Sequence, residues 1–199
     1  MHSLLIVIGD GELGELMEPF YEGREVPEYN EGLVPENEKE TFLDYYNEHT
    51  PGYHFSMADF EDLYKAKGEE WNDNAWRKGE DGEWYSWSSY NPYSTWDWYE
   101  VGGRWAGWLK LSEGVMPMAE PHFSWGWSDE QKAEVLNEEP PRADMAYLKD
   151  IANLDDLVAG DILINGEWKE IGDRKFAAVK PYLEGLPGDT LIRCVDYHI

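Results

Sequence analysis

The residues of this 199-residue chain that could do chemistry are carboxylates and tryptophans, with few nucleophiles among them. Glu40, Asp44 and Glu48 recur at i, i+4 and i+8 in a helical pattern, which stacks three carboxylates in one stripe. Glu36 on the same segment, with Asp59, Asp62, Glu69 and Glu70 on the next, extends this into a candidate acidic partner-binding face. Helix neighbours at i, i+4 lie ~5–6 Å apart, and duplex DNA presents one charge per ~1.7 Å of axis with both strands counted. Such an array could approximate part of a phosphate field and occupy the basic groove of a nucleic-acid-binding protein. The plainer alternative is a solvated helix face.

The second candidate is the segment Trp96-Asp97-Trp98-Tyr99-Glu100-Val101-Gly102-Gly103-Arg104-Trp105-Ala106-Gly107-Trp108. Strand alternation places Trp96, Trp98 and Glu100 on one face and Asp97, Tyr99 and Val101 on the other. Arg104, one of 16 Lys and Arg residues against 42 acids, is expected to pair with Asp97 or stack on a Trp face. As a functional site this is a ligand platform for a sugar or a base, built from Trp96, Trp98, Tyr99, Arg104, Trp105 and Trp108. The alternative, and the favoured one, is a Trp-rich core locked by a buried Arg–carboxylate pair.

Other constellations are weaker. Gly9-Asp10-Gly11-Glu12-Leu13-Gly14 matches the dinucleotide-binding spacing directly after an apolar run. However, Asp10 and Glu12 would face the pyrophosphate, Pro19 truncates the helix that should receive it, and no βαβ unit follows. A strand-exit turn is the expectation. His49 and His54 flank Pro51-Gly52 and could converge on a metal with nearby acids, yet none of the histidines, His2, His122 and His198 included, has a zinc-site spacing. No serine sits in a G-x-S-x-G or S-x-x-K context. Cys194 is the only cysteine, which rules out a disulfide within the chain, and it reads as a packed residue. Carboxylates are too abundant for a glycosidase-like pair to stand out. No catalytic residue, metal ligand or cofactor is therefore assigned, and a binding protein is favoured over an enzyme.

These residues need elements to hold them. Leu4-Leu5-Ile6-Val7-Ile8 predicts a buried strand, and Leu191-Ile192-Arg193-Cys194-Val195 another, expected to lie beside it. Residues 11–35 predict an irregular acidic connection, and 112–128 a loop. Helices are predicted over Glu36 to His49, from a Ser56 N-cap, with Asp59 three residues on, to about Lys67 with Phe60, Leu63 and Tyr64 on its inner face, from a Ser128 cap to about Asn137, over Ala143 to Ala152 and over Lys175 to Leu183. Asn165-Gly166 predicts a hairpin over Asp161 to Ile171, and Gly102-Gly103 predicts one between Trp96–Val101 and Arg104–Leu111. No internal repeat occurs. The expected fold class is α+β: a single domain over 1–199, with a mixed or antiparallel sheet, adjacent N- and C-terminal strands, helices packed on it and a Trp-rich centre.

Composition narrows the function classes. The net charge of −26 far exceeds the roughly 2–8 in magnitude usual for a small soluble domain. Self-repulsion at that charge opposes compaction, so a basic partner, bound cations or selection for solubility has to offset it. Direct nucleic-acid binding and docking on an anionic membrane are disfavoured, since both attract Lys and Arg. Residues 1–50 hold 13 acids and 2 bases, and residues 51–100 hold 11 and 4, so −18 of the −26 lies in the first hundred. The 11 Trp and 13 Tyr supply enough ring surface for a compact core despite the charge. No run approaches the ~18 apolar residues of a membrane-spanning helix. The start carries only His2 ahead of its apolar run and is not expected to be a signal peptide, so the protein is expected to act inside a cell.

The Trp96–Trp108 block, Trp-Asp-Trp-Tyr-x-x-Gly-Gly-Arg-Trp, resembles one that recurs in a family of uncharacterised phage and prophage proteins. Leu4 to Asp10 followed by Glu18-Pro19-Phe20 is similar to that family's start, and Asp189 to Ile199 to its end; together the blocks cover about a fifth of the chain. The resemblance implies a phage or mobile-element origin and no established activity, so no residue inherits a role. Residues 21–90 fall outside it, and a function specific to this protein could reside there. The leading expectation is a phage-encoded acidic protein that inhibits a basic host protein, a defence nuclease or other DNA-binding factor, in the host cytoplasm by charge mimicry. A small-ligand module for a nucleotide signal or glycan, using the Trp-rich segment, is the alternative. A metal-dependent enzyme with a dispersed carboxylate and His site is the third reading.

Overall fold

The computed structural model describes residues 1–72, 75–172 and 175–198. In chain order, β1 (His2–Ile8) leads into the short helix α1 (Leu13–Met17), then β2 (Tyr29–Leu33), α2 (Glu36–His49) and α3 (Phe60–Asn72). Strands β3 (Trp76–Lys78), β4 (Trp84–Ser88), β5 (Trp98–Val101) and β6 (Leu109–Lys110) precede α4 (Asp129–Leu136). The rest is β7 (Arg142–Ala143), β8 (Met145–Tyr147), β9 (Val158–Ala159), β10 (Asp161–Ile164), β11 (Glu167–Glu170), β12 (Ala177–Ala178) and β13 (Leu191–His198). Where length and composition predict one domain over 1–199, the chain's contacts gather into two compact units: Met1–Arg24 with Pro92–Ile199, and Glu25–Asn91.

The larger unit is built on a mixed sheet of order β11-β10-β1-β13-β5, with β8 also on β13. The N- and C-terminal strands are adjacent, as expected: β1 runs antiparallel to β13, with Ile6 opposite Cys194, and parallel to β10, with Leu5 opposite Asp161. Both are nearly continuous apolar runs because both faces of the sheet are covered. Leu4, Ile6, Ile162 and Cys194 pack on one side with Leu109, Leu111 and Ala143. Leu5, Val7, Leu163 and Val195 pack on the other with Met17 and Phe20. This is the two-residue alternation of a strand. Each aliphatic side chain so buried contributes about 1.5–3 kcal/mol. Asn165-Gly166 closes the β10–β11 hairpin with φ of 53° and 76°, the left-handed pair a type I′ turn requires.

The smaller unit packs α2 and α3 with a three-stranded sheet of order β2-β4-β3. Its core is aromatic. Phe42 is fully buried, with ring centroids 5.0–5.7 Å from Tyr46, Phe60, Tyr64 and Trp71. Helix α2 has the predicted bounds, whereas α3 runs to Asn72, beyond the predicted Lys67, because Trp71 adds another ring to the same core. Ser56 caps as predicted, in a capping box with Asp59, and the predicted Ser128 cap of α4 is completed by Gln131, which the sequence reading did not name.

Other predicted elements are corrected. Residues 143–152 are not a helix: Ala143 pairs with Leu109, and Met145–Tyr147 pair with Leu191–Arg193. From Asp144 to Leu148 burial alternates, with Asp144, Ala146 and Leu148 buried and Met145 and Tyr147 only partly so, and strand pairing overrides the helix propensity of the alanines. Residues 175–183 are not a helix either. Ala177–Ala178 pair with β9, and only Lys180–Tyr182, with Pro181, make one tight 3-10 turn. Residues 11–35, predicted irregular, contain α1 and β2. Gly102-Gly103 does not close a hairpin. Both glycines have positive φ, but Trp105 N–H bonds to Gly102 O and Trp108 N–H to Trp105 O, so the chain coils through successive turns. The eight tryptophans of 71–108 are shared between the two units, four to each. No helix among the described residues is long and apolar enough to cross a membrane.

Candidate functional site

The acidic face lies wholly in the smaller unit. Glu36, Glu40, Asp44 and Glu48 on α2, and Asp59, Asp62, Glu69 and Glu70 on α3 and the 3-10 turn before it, are all exposed. Residues 25–91 hold 17 acids against 5 bases, a net −12 in 67 residues. Three of the eight carboxylates are engaged locally. Asp59 accepts the Ser56 N–H at 2.8 Å, and its pKa is lowered by hydrogen bonds from the Ser56 hydroxyl and N–H. Glu36 lies 3.5 Å from Lys39 Nζ, and Glu70 2.9 Å from Lys67 Nζ. The other five enter no ion pair among the described residues.

The six residues of the expected tryptophan platform do not come together. Trp96 packs at 4.7 Å against the Tyr21 ring, tilted by 33°, and meets Tyr99 edge-on at 4.8 Å, with its indole N–H donated to Met17 O. Trp105 and Trp108 pack on the opposite side of the sheet, where both meet Phe176 edge-on at 5.2 and 5.8 Å. Trp98 is half-exposed. Arg104 is exposed and enters no ion pair or cation–π contact among the described residues, while Asp97 pairs with His198 at 3.1 Å. Among the described residues the buried arginine is Arg193 instead. Its guanidinium donates to Gly9 O and Gly11 O at 3.0 and 2.7 Å. Burial lowers its pKa, and the charges of Asp10 and Glu12 act against that shift.

What shapes the Gly-Gly-Arg-Trp block is a set of buried acids that sequence reasoning did not single out. Asp196, fully buried on β13, accepts the Arg104 N–H at 3.0 Å, and its other oxygen lies 2.9 Å from His2 Nδ1. Asp144 accepts the N–H groups of Gly107 and His122 at 2.6 and 2.5 Å. Burial raises the pKa of Asp144, and those two hydrogen bonds oppose the rise. A Cβ on Gly102 would overlap Asp144 Oδ2 and lie 2.7 Å from the His122 carbonyl oxygen. One on Gly103 would lie 2.6 Å from Glu100 Oε1 and 2.8 Å from Asp196 Oδ2. The only available signal was an acid at an inward position of an apolar strand.

The Gly9–Gly14 turn is occupied by its own side chains. Asp10 accepts the Leu191 N–H at 2.9 Å, and Glu12 accepts those of Gly14 and Glu15 at 2.7 and 3.3 Å. A carboxylate thus stands where a phosphate would have to sit. His49 stacks on Tyr45 at 4.2 Å. Among the described residues no group of three or more His, Cys, Asp and Glu is placed to hold a metal ion. Cys194 is fully buried, which holds its thiol pKa well above the usual value.

One concavity of the larger unit is sizeable. A cavity of about 950 Å³ opens at the end of the sheet where β1 and β10 begin and β13 finishes. Asp161 and Tyr197 form part of its wall, and the tyrosine hydroxyl donates to Asp161 Oδ2 at 2.5 Å. Burial raises the Asp161 pKa, the Glu170 charge adds to the rise, and hydrogen bonds from Tyr197 and Trp168 oppose it. Trp105, Trp168 and Phe176 contribute rings to the same wall. Comparison of the chain with protein-family models, curated proteins and solved structures finds no match, so its own geometry carries the functional reading.

Proposed function

We propose that this is a phage-encoded acidic binding protein whose smaller unit engages a basic, nucleic-acid-binding host protein by imitating nucleic-acid charge, with inhibition of a defence nuclease or other DNA-binding factor as the outcome. One observation carries the reading. All eight predicted carboxylates are exposed on two consecutive helical segments of one unit, and five of them enter neither an ion pair nor a helix cap among the described residues. Side chains spent on internal ion pairs would have little charge left for a partner; these are not so spent. Stripe spacing on α2 adds support, because Glu40, Asp44 and Glu48 recur one turn apart along a surface that a basic groove can follow. The buried aromatic core beneath keeps the helices in place without calling on those charges.

The test is capture of host nucleic-acid-binding proteins by the immobilised protein at low and at high salt, with competition by duplex DNA. Retention at low salt, release by salt and displacement by DNA are the expected results, since screening acts on exposed charges. Retention of no nucleic-acid-binding protein at low salt would sink the proposal.

A further inference from the structure

We infer that the cavity in the larger unit is a binding site for a small organic cation: a protonated amine on an apolar or aromatic body that also carries a hydrogen-bond acceptor. Its volume, about 950 Å³, lies within the ~300–1,000 Å³ of small-molecule sites. Asp161 is 6% exposed and reaches the wall of the cavity. Tyr197 and Trp168 together occupy only part of the carboxylate's capacity to accept hydrogen bonds. Glu170 stands directly opposite Asp161 across the β10–β11 ladder and lines the same space. Like charges directly opposite on neighbouring strands destabilise a sheet. A cation seated beside the two removes that repulsion.

The remaining wall suits the rest of such a molecule. Trp105, Trp168 and Phe176 provide aromatic surface, which attracts cations as well as apolar groups. Two polar atoms of lining residues, Trp105 Nε1 and Thr95 Oγ1, are buried without a hydrogen-bond partner among the described residues. An orphaned indole N–H asks for an acceptor, which a ligand hydroxyl or carbonyl supplies. Lys175 also reaches the wall and offers that acceptor a second donor. Phosphorylated ligands are opposed by the paired carboxylates and by the −26 charge of the whole chain, whereas the same field draws cations in.

The probes are tyramine, its uncharged counterpart 4-ethylphenol, and adenosine monophosphate, titrated calorimetrically into the full chain and into Glu170→Gln, Asp161→Asn and Trp105→Phe variants. Glu170 is exposed, so Glu170→Gln keeps the test alive if Asp161→Asn fails to fold. The expected result is one tyramine site, with 4-ethylphenol at least tenfold weaker, no nucleotide binding, and at least fivefold loss in Glu170→Gln. The Glu40→Lys, Asp44→Lys, Glu48→Lys triple variant should keep full tyramine affinity, which separates this site from the acidic face. The inference is overturned if tyramine gives no heat at millimolar concentration, if it and 4-ethylphenol bind alike, or if Glu170→Gln binds as the native chain does.

Discussion

Replacing Gly102 by alanine tests how the Gly-Gly-Arg-Trp block is held. Two costs add. The residue sits at φ 75°, and an L side chain in the left-handed region costs ~1–2 kcal/mol. The new Cβ also overlaps Asp144 Oδ2 and comes within 2.7 Å of the His122 backbone oxygen. Neither neighbour can yield easily: Asp144 is fixed by the two N–H groups it accepts, and the His122 oxygen itself accepts the Gly103 N–H at 2.8 Å. Overpacking of that kind costs ~1–3 kcal/mol. The sum is about 2–5 kcal/mol, which lowers a melting temperature by roughly 10 °C in a unit of this size. Gly114→Ala is the control, since Gly114 has φ 80° and nothing within 4 Å of its would-be Cβ. It should show the backbone term alone, about 1–2 kcal/mol. Calorimetric melts of the two variants decide the matter. Equal shifts for Gly102→Ala and Gly114→Ala would refute the claim that buried carboxylates clamp the turn.

Reversing three charges with Glu40→Lys, Asp44→Lys and Glu48→Lys should leave the melting temperature nearly unchanged. At ~0.2–1 kcal/mol for each exposed pair, it should weaken low-salt capture of a basic partner by about three- to hundred-fold, as read by biolayer interferometry. Phe42→Ala removes the most buried ring of the smaller unit and should cost ~3–5 kcal/mol in urea denaturation; a loss below about 1 kcal/mol would contradict its central position. The raised pKa of Asp161 fixes the sign of a pH effect. The folded carboxyl holds its proton more tightly than the unfolded one, so its contribution is favourable at low pH and is lost as pH rises from the usual carboxylate range through the raised value. Asp161→Asn should therefore flatten the stability–pH profile on the acidic side of neutrality, and parallel profiles for the two proteins would count against it.

Much of the fold was legible because its signals are local. The apolar runs of β1 and β13, the Asn165-Gly166 turn, the bounds of α2 and the caps at Ser56 and Ser128 each declare themselves within a few residues. The exposure of the eight carboxylates on α2, α3 and the turn before it was legible for the same reason, since helical spacing sets exposure. The Gly102-Gly103 turn was not. It satisfies the local rule for a hairpin, but its course is set by Asp144 and Asp196, which lie 37 and 92 positions on from Gly107 and Arg104, whose N–H groups they accept. Distance in sequence also hid the cavity, whose wall draws on β1, β10, β11, β13 and the separate connections that carry Thr95, Trp105, Gly160 and Phe176. The tryptophan platform failed because alternation was carried past the end of β5: Trp96 lies before that strand begins, and Arg104 lies in the turns after it.

The order of strands in the larger unit sets a timetable for synthesis. The antiparallel partner of β1 is β13, so Leu4 to Ile8 must wait until residues 191–198 exist. At ~5–20 residues per second that is an interval of about 10–40 s. The contiguous Glu25–Asn91 segment is complete long before. During that interval a five-residue, β-branched apolar stretch is short of its main partner, the kind of segment through which nascent chains associate. Asp10, Glu12, Glu15 and Glu18 follow it directly, within a first fifty residues that carry −11. Mutual repulsion between neighbouring chains on a polysome then guards the strand until its partner emerges, which gives the front-loaded charge a kinetic consequence separate from any binding.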